Sequence, residues 1–126
     1  MSKKILIVDD EPDILKLLEM RFKAEGFKVI KSDSGVRAIE IAKRERPDLI
    51  VMDIMMPDMD GGQASAQLKE DEDTSRIPVI FLTGLLKQQE AGDDPETESP
   101  NVILPKPLNW PDLMAKVRQL LNAAKP

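Results

Sequence analysis

Four short apolar runs punctuate the chain: residues 5–8 (ILIV), 49–52 (LIVM), 79–82 (VIFL) and 102–104 (VIL). Each is nearly continuous rather than alternating. That pattern suits strands buried on both faces of a parallel sheet, where neither side of the pleat meets water. A weaker run at residues 27–30 supplies one more strand. Between the runs lie stretches with helical spacing. Ile14, Leu15, Leu17, Leu18 and Phe22 recur at helical spacing, with Pro12 in the first turn and Gly26 as the stop. Val36, Ile39 and Ala42 follow Ser34-Gly35, and Pro47 closes that helix. Ala64, Ala66 and Leu68 follow Gly61-Gly62 and offer only a small face. Leu113, Val117, Leu120 and Leu121 follow Asn109, a suitable N-cap. The interval 85–100 (LLKQQEAGDDPETESP) turns acidic and proline-rich, which supports one or two helical turns and then an irregular segment. The alternation predicts an α/β fold with five strands and helices on both faces.

The chain has 126 residues, enough for one domain with one core, and it ends a few residues after the last helical pattern, so no second domain is expected. No apolar run approaches the roughly 20 residues needed to span a membrane. The start (MSKKILIVDDEP) has too short an apolar stretch for a signal peptide, and the cytoplasm is the expected location. There is no cysteine and no histidine, which removes disulfides, thiolate and imidazole metal sites, and the usual general base. A formal net charge of -5 argues against a nucleic-acid surface. Neither GxGxxG nor GxxxxGK[ST] occurs.

In open α/β sheets, ligands bind beyond the carboxyl ends of the strands. Reading each strand end is therefore informative. The first ends at Asp9-Asp10, the third at Asp53, the fourth at Thr83, and the fifth runs through Pro105 to Lys106. Three carboxylates, a hydroxyl and an ammonium are expected to converge. Clustered carboxylates repel one another and need a counterion. Mg2+ supplies it, taking oxygen ligands from one or two carboxylates and keeping several waters; Mn2+ is an acceptable substitute. Lys106 adds a fixed charge for a tetrahedral anion, and Thr83 a hydroxyl donor. Such a set fits phosphoryl transfer with a carboxylate as acceptor. Asp58 and Asp60 sit in Pro57-Asp58 and Asp60-Gly61, which read as turn chemistry. Lys3, Lys4 and the acidic run at 70–73 read as solvated, and Trp110 is expected to pack beside the loop of Pro107.

The elements VDDEP, MDIMMPDMDG, FLTG and PKP, in this order, resemble a response-regulator receiver domain of two-component signalling. The resemblance covers essentially the whole chain, as a single receiver over residues 1–126 with no output domain. It implies a flavodoxin-like (βα)5 doubly wound parallel sheet of strand order 2-1-3-4-5, here with a weak or irregular fourth helix. It further implies that Asp53 is phosphorylated and that Asp10 binds Mg2+ directly. Asp9 would hold the metal mainly through water, and the main-chain carbonyl of Met55 would be a further ligand. Thr83 and Lys106 would contact the phosphoryl group, and the Lys106-Pro107 bond would be cis. Implied partners are a sensor histidine kinase or histidine phosphotransfer protein as donor and a downstream protein target. Such a domain is a phospho-acceptor, not an enzyme acting on a separate substrate.

Some positions depart from the family's pattern. Ile103 stands where an aromatic residue or histidine often reports the movement of the threonine, so the usual ring flip is lost. Gly84 replaces a common alanine and loosens its loop. Met55 and Leu85, two residues beyond Asp53 and Thr83, are apolar and predict a drier site with slow loss of phosphate. Two other functions compete with the switch. One is a passive phosphate relay or docking module, motivated by Ile103 and the poor fourth helix. The other is a Mg2+-dependent phosphohydrolase with an aspartyl nucleophile, disfavoured because the DxD arrangement of one large class is absent.

Overall fold

In a computed structural model, the described residues are 3–54, 58–59, 61–83, 92–93, 101–105 and 109–123. They form β1 (Lys4–Val8), α1 (Pro12–Ala24), β2 (Lys28–Ser32), α2 (Gly35–Glu45), β3 (Leu49–Asp53), α3 (Gly61–Glu70), β4 (Val79–Thr83), β5 (Gly92–Asp93), β6 (Asn101–Pro105) and α4 (Trp110–Ala123). The sheet order is β2-β1-β3-β4-β6-β5. All neighbours pair in parallel except β5, which runs antiparallel to β6. The expected 2-1-3-4-5 order is therefore present, with β6 as the fifth parallel strand.

The sixth strand is the one departure in the sheet. Gly92 pairs with Ile103 and Asp93 with Val102. Neither residue favours a strand. The pairing is carried by the backbone: β6 ends the parallel sheet and would otherwise present an open row of N–H and C=O groups. The rest of the irregular interval, where the weak fourth helix was expected, lies outside the described residues, as do Gly84 and Leu85.

Strand burial follows from the apolar runs. Ile5 and Ile7 face one cluster with Leu18, Phe22, Leu113, Val117 and Leu121, contributed by α1 and α4. Leu6 and Val8 face the other with Ala38, Ala42, Ala64 and Leu68, contributed by α2 and α3. Helices thus cover both faces, and β1 and β3 are buried on both. Each large side chain so buried contributes about 1.5–3 kcal/mol.

Helix ends match local chemistry. Pro12 opens α1, and after Glu25 the chain turns through Gly26 at φ 94°, where the amide of Phe27 reaches the carbonyl of Phe22. The side chain of Ser34 caps α2 by accepting from the amide of Arg37. That helix ends on Arg46 in the left-handed region, one residue before Pro47. Asn109 caps α4 through the amide of Asp112. On α3 the buried face is Gly61, Ala64 and Leu68; Ala66 is exposed, because three- and four-residue steps, not two, keep a helix face. β2 begins one residue later than the apolar run suggested and extends through Lys31 and Ser32. It is an edge strand, so Lys28 and Lys31 reach solvent there. Trp110 packs on the ring of Phe22 at 5.1 Å, with the Arg21 guanidinium 5.3 Å over its own ring.

Candidate functional site

β1 and β3 lie side by side, with Val8 opposite Met52. One step further along, both strands end in acid. Asp9 follows β1 directly, and Asp53 is the last residue of β3. Their carboxylates, together with that of Asp10, place ligand oxygens within 4.8 Å of one another. Asp9 is 1% exposed and Asp53 7%, whereas Asp10 is open to solvent. One oxygen of Asp9 accepts from the amide of Glu11 at 2.9 Å, a local turn that fixes its orientation as the chain enters α1.

Crowding of this kind is unfavourable for isolated anions. Asp9 and Asp53 are nearly withdrawn from water, and a bound cation would offset the cost of keeping carboxylates there. The donor set is all oxygen, two members are withdrawn from water, and the third faces solvent. Those features fit a small hard cation that keeps part of its hydration shell.

The next strand completes this edge. Asp53 pairs with Leu82, so Thr83 lies one residue beyond it on β4; Thr83 in turn pairs with Pro105 on β6. The backbone thus brings Thr83 to the same edge as the acids, while its side chain is outside the description. Lys106 follows Pro105 directly in the chain and lies outside the described residues, as do Met55, Pro107 with its expected cis bond, and Asp60. Ile103 is within β6, between Phe81 of β4 and Gly92 of β5.

The loop after Asp53 is closed on itself. The amide of Ile54 donates to the carbonyl of Leu82, and the amide of Gly61 donates to the carbonyl of Ile54, each at 2.9 Å. A β-carbon at Gly61 would collide with Ile54 and come within 3.1 Å of the Phe81 ring, so only glycine allows α3 to start here.

Asp58 has a part that turn chemistry did not foresee. It reaches across to α2, where one oxygen accepts from the hydroxyl of Ser34 at 2.6 Å and the amide of Val36 at 3.2 Å. The other accepts from the amide of Gly35 at 3.1 Å. The Ser34 hydroxyl, helped by these amides, holds the Asp58 carboxyl below its ordinary value. Partners 22 to 24 residues apart leave no local signal of such a contact.

A doubly wound sheet with paired acids beyond its first strand and another acid ending its third suits phosphoryl chemistry on a carboxylate. The chain belongs to the response regulator receiver family: residues 5–118 match the family described as Response regulator receiver domain. Such domains act with histidine kinases in two-component signalling, as phospho-acceptors rather than as enzymes turning over a separate substrate.

The chain is 36% identical over 121 residues to the probable transcriptional regulator ycf27 of Porphyridium aerugineum, covering 96% of this chain and 49% of that protein. It is 38% identical over 120 residues to the response regulator PleD of Caulobacter vibrioides, covering 95% of this chain and 26% of that protein. It therefore spans about half, or about a quarter, of these curated relatives. Among solved structures it is similar to the receiver domain of sensor histidine kinase PA1611 from Pseudomonas aeruginosa, which has a magnesium ion in its active-site cleft. The TM-score is 0.82 at 27% identity, covering 97% and 99% of the two chains. It is also similar to the receiver domain of a signal transduction histidine kinase from Syntrophus aciditrophicus, with a TM-score of 0.83 at 30% identity over 98% and 93%. No helix among the described residues is long and apolar enough to cross a membrane.

Proposed function

We propose that Asp53 is the phospho-acceptor of a receiver that takes its phosphoryl group from a phosphohistidine on a sensor kinase or histidine phosphotransfer protein. The observation that carries this reading is the meeting of Asp9, Asp10 and Asp53 within 4.8 Å at the carboxyl end of the sheet. A carboxylate oxygen of Asp53 attacks phosphorus, and the phosphorus–nitrogen bond to the donor imidazole breaks. The imidazole keeps the electron pair and takes a proton, so no base from this chain is required. That agrees with a chain that has no histidine.

Asp9, Asp10, Asp53 and the Met55 carbonyl would hold Mg2+, which when bound offsets negative charge on the transferring group. The nearly buried Asp9 keeps its place through the amide of Glu11, and the exposed Asp10 leaves the cleft open to the donor. Lys106 would neutralise a further phosphoryl oxygen, and Thr83 would donate to another. The exposed apolar pair Leu17 and Met20 on α1, the helix that starts just after the acid pair, offers a contact for the donor protein. A protein rather than a nucleic acid as the target of this domain accords with the net charge of -5.

Incubation with a small phosphodonor and Mg2+ tests this directly. The wild type is expected to gain one alkali- and hydroxylamine-labile phosphoryl group and Asp53→Asn none; equal labelling of both would overturn the assignment. A second reading, a passive relay or docking module, is favoured by Ile103, whose strand has no ring to flip and is flanked by β5. Labelling that leaves the affinity for a captured target unchanged would select it.

A further inference from the structure

The acid cluster is joined to a polar chain that the phospho-acceptor reading does not use. The amide of Asp9 donates to the carbonyl of Ser32 at 3.2 Å. Ser32 is buried, and its hydroxyl both donates to the carbonyl of Ser34 at 2.8 Å and accepts from the amide of Ser34 at 3.2 Å. The Ser34 hydroxyl then donates to Asp58, which lies five residues beyond Asp53 on the loop that leaves the site. Three strand ends are thus laced together: β1 through Asp9, β2 through Ser32 and Ser34, β3 through Asp58. Packing supports the same closure independently. A β-carbon on Gly35 would come within 2.9 Å of Cβ of Met59, so the two loops touch where no side chain fits between them.

Resting on the reading of the acid cluster as a divalent-cation site, we propose that Asp58 is a positioning residue for that cluster. With Ser34 and Ser32 it holds the loop after Asp53 against the strand end that anchors Asp9. Cation affinity then depends on a carboxylate that is not among the clustered ligands. Outer partners of metal-binding groups act in this way, by keeping the ligands in one arrangement before the ion arrives.

Titration calorimetry with Mg2+ alone tests the proposal on wild type, Asp58→Ala, Asp58→Asn, Ser34→Ala and two controls. The first control, Asp10→Asn, removes a ligand. The second, Thr74→Val, removes the hydrogen bond from the buried Thr74 hydroxyl to the carbonyl of Leu68, destabilising the fold far from the acids. Asp58→Ala and Ser34→Ala are expected to weaken Mg2+ binding roughly three- to tenfold, a modest case of outer-partner loss. Asp58→Asn keeps one oxygen acceptor and should fall between Asp58→Ala and wild type. Amide exchange at Gly35 and Val36 should speed up in Asp58→Ala. Thr74→Val should lower the melting midpoint and leave Mg2+ affinity unchanged. If Asp10→Asn abolishes binding while Asp58→Ala and Ser34→Ala bind as wild type does, the positioning role is overturned and the cation site stands. If wild type itself binds no Mg2+, both fall together.

Discussion

The two edges of the sheet both carry acids among the described residues and use them in different ways. At the edge where the strands begin, acids meet cations. Lys4 reaches Glu45 at 3.3 Å, Arg46 reaches Asp73 at 3.1 Å, and Lys43 lies 3.9 Å from Asp71. The amide of Lys4 also donates to Asp48 at 2.8 Å. Lys4 and the acidic run at 70–73, read from sequence as solvated, thus tie the strand and helix ends together. Where the strands end, Asp9, Asp10 and Asp53 bring ligand oxygens within 4.8 Å of one another, two of them nearly buried. An acid beside a cation adds a little stability; acids gathered around one point offer a cation its ligands. The difference separates scaffold from function without reference to which acids are most exposed.

That contrast can be broken by experiment. Its largest expected consequence is chemical: Asp53→Asn should abolish phosphoryl uptake, measured with labelled small phosphodonor. Next comes the response to metal. Mg2+ at about 100 times its dissociation constant should stabilise the wild type by ~2.7 kcal/mol in thermal unfolding, and Asp10→Asn by far less. Equal protection of both would mean that the cluster is not where the ion binds. Without metal the sign reverses. Asp53→Asn replaces a nearly buried carboxylate by a neutral amide of the same shape and should raise stability by about 1 kcal/mol, a gain of the kind found when a functional group is removed. At the opposite edge, Glu45→Gln should lower the melting midpoint slightly or not at all, because that pair is solvated. A rise there as large as at Asp53 would erase the distinction.

The smallest effect concerns pH. The Asp58 carboxyl lies below its ordinary 3.8 because the Ser34 hydroxyl and two amides favour its ionised form. A depressed carboxylate contributes in full above its unfolded value and loses that contribution as pH falls through the folded one. The stability advantage of wild type over Asp58→Asn should therefore be constant above about pH 5 and shrink steadily below about pH 4, followed by denaturant unfolding. An advantage that persists unchanged to pH 2 would show that the cap works through its oxygen geometry rather than its charge.

Much of this molecule is written locally. The runs ILIV, LIVM and VIFL are each four residues long, bounded by a lysine, acids, a proline or a hydroxyl, and the structure buries all of them on both faces. Strand ends follow from strand positions, so the meeting of Asp9, Asp10 and Asp53 was legible before any coordinates. β2 was less so, because an edge strand needs no apolar residue at every position. β5 gave no signal at all, since neither Gly92 nor Asp93 favours a strand.

By itself the sequence determined the α/β alternation, the buried parallel strands and the acids at their ends, because short-range burial dictates each of them; the strand order followed only from the family resemblance of the motifs. Only the tertiary structure decided that Asp58 belongs to α2 rather than to its own turn, and that Gly35 and Gly61 are demanded by contacts with Met59, Ile54 and Phe81. Those choices rest on groups that are distant in the chain. Their energy exists only once the sheet has brought three loops to one edge.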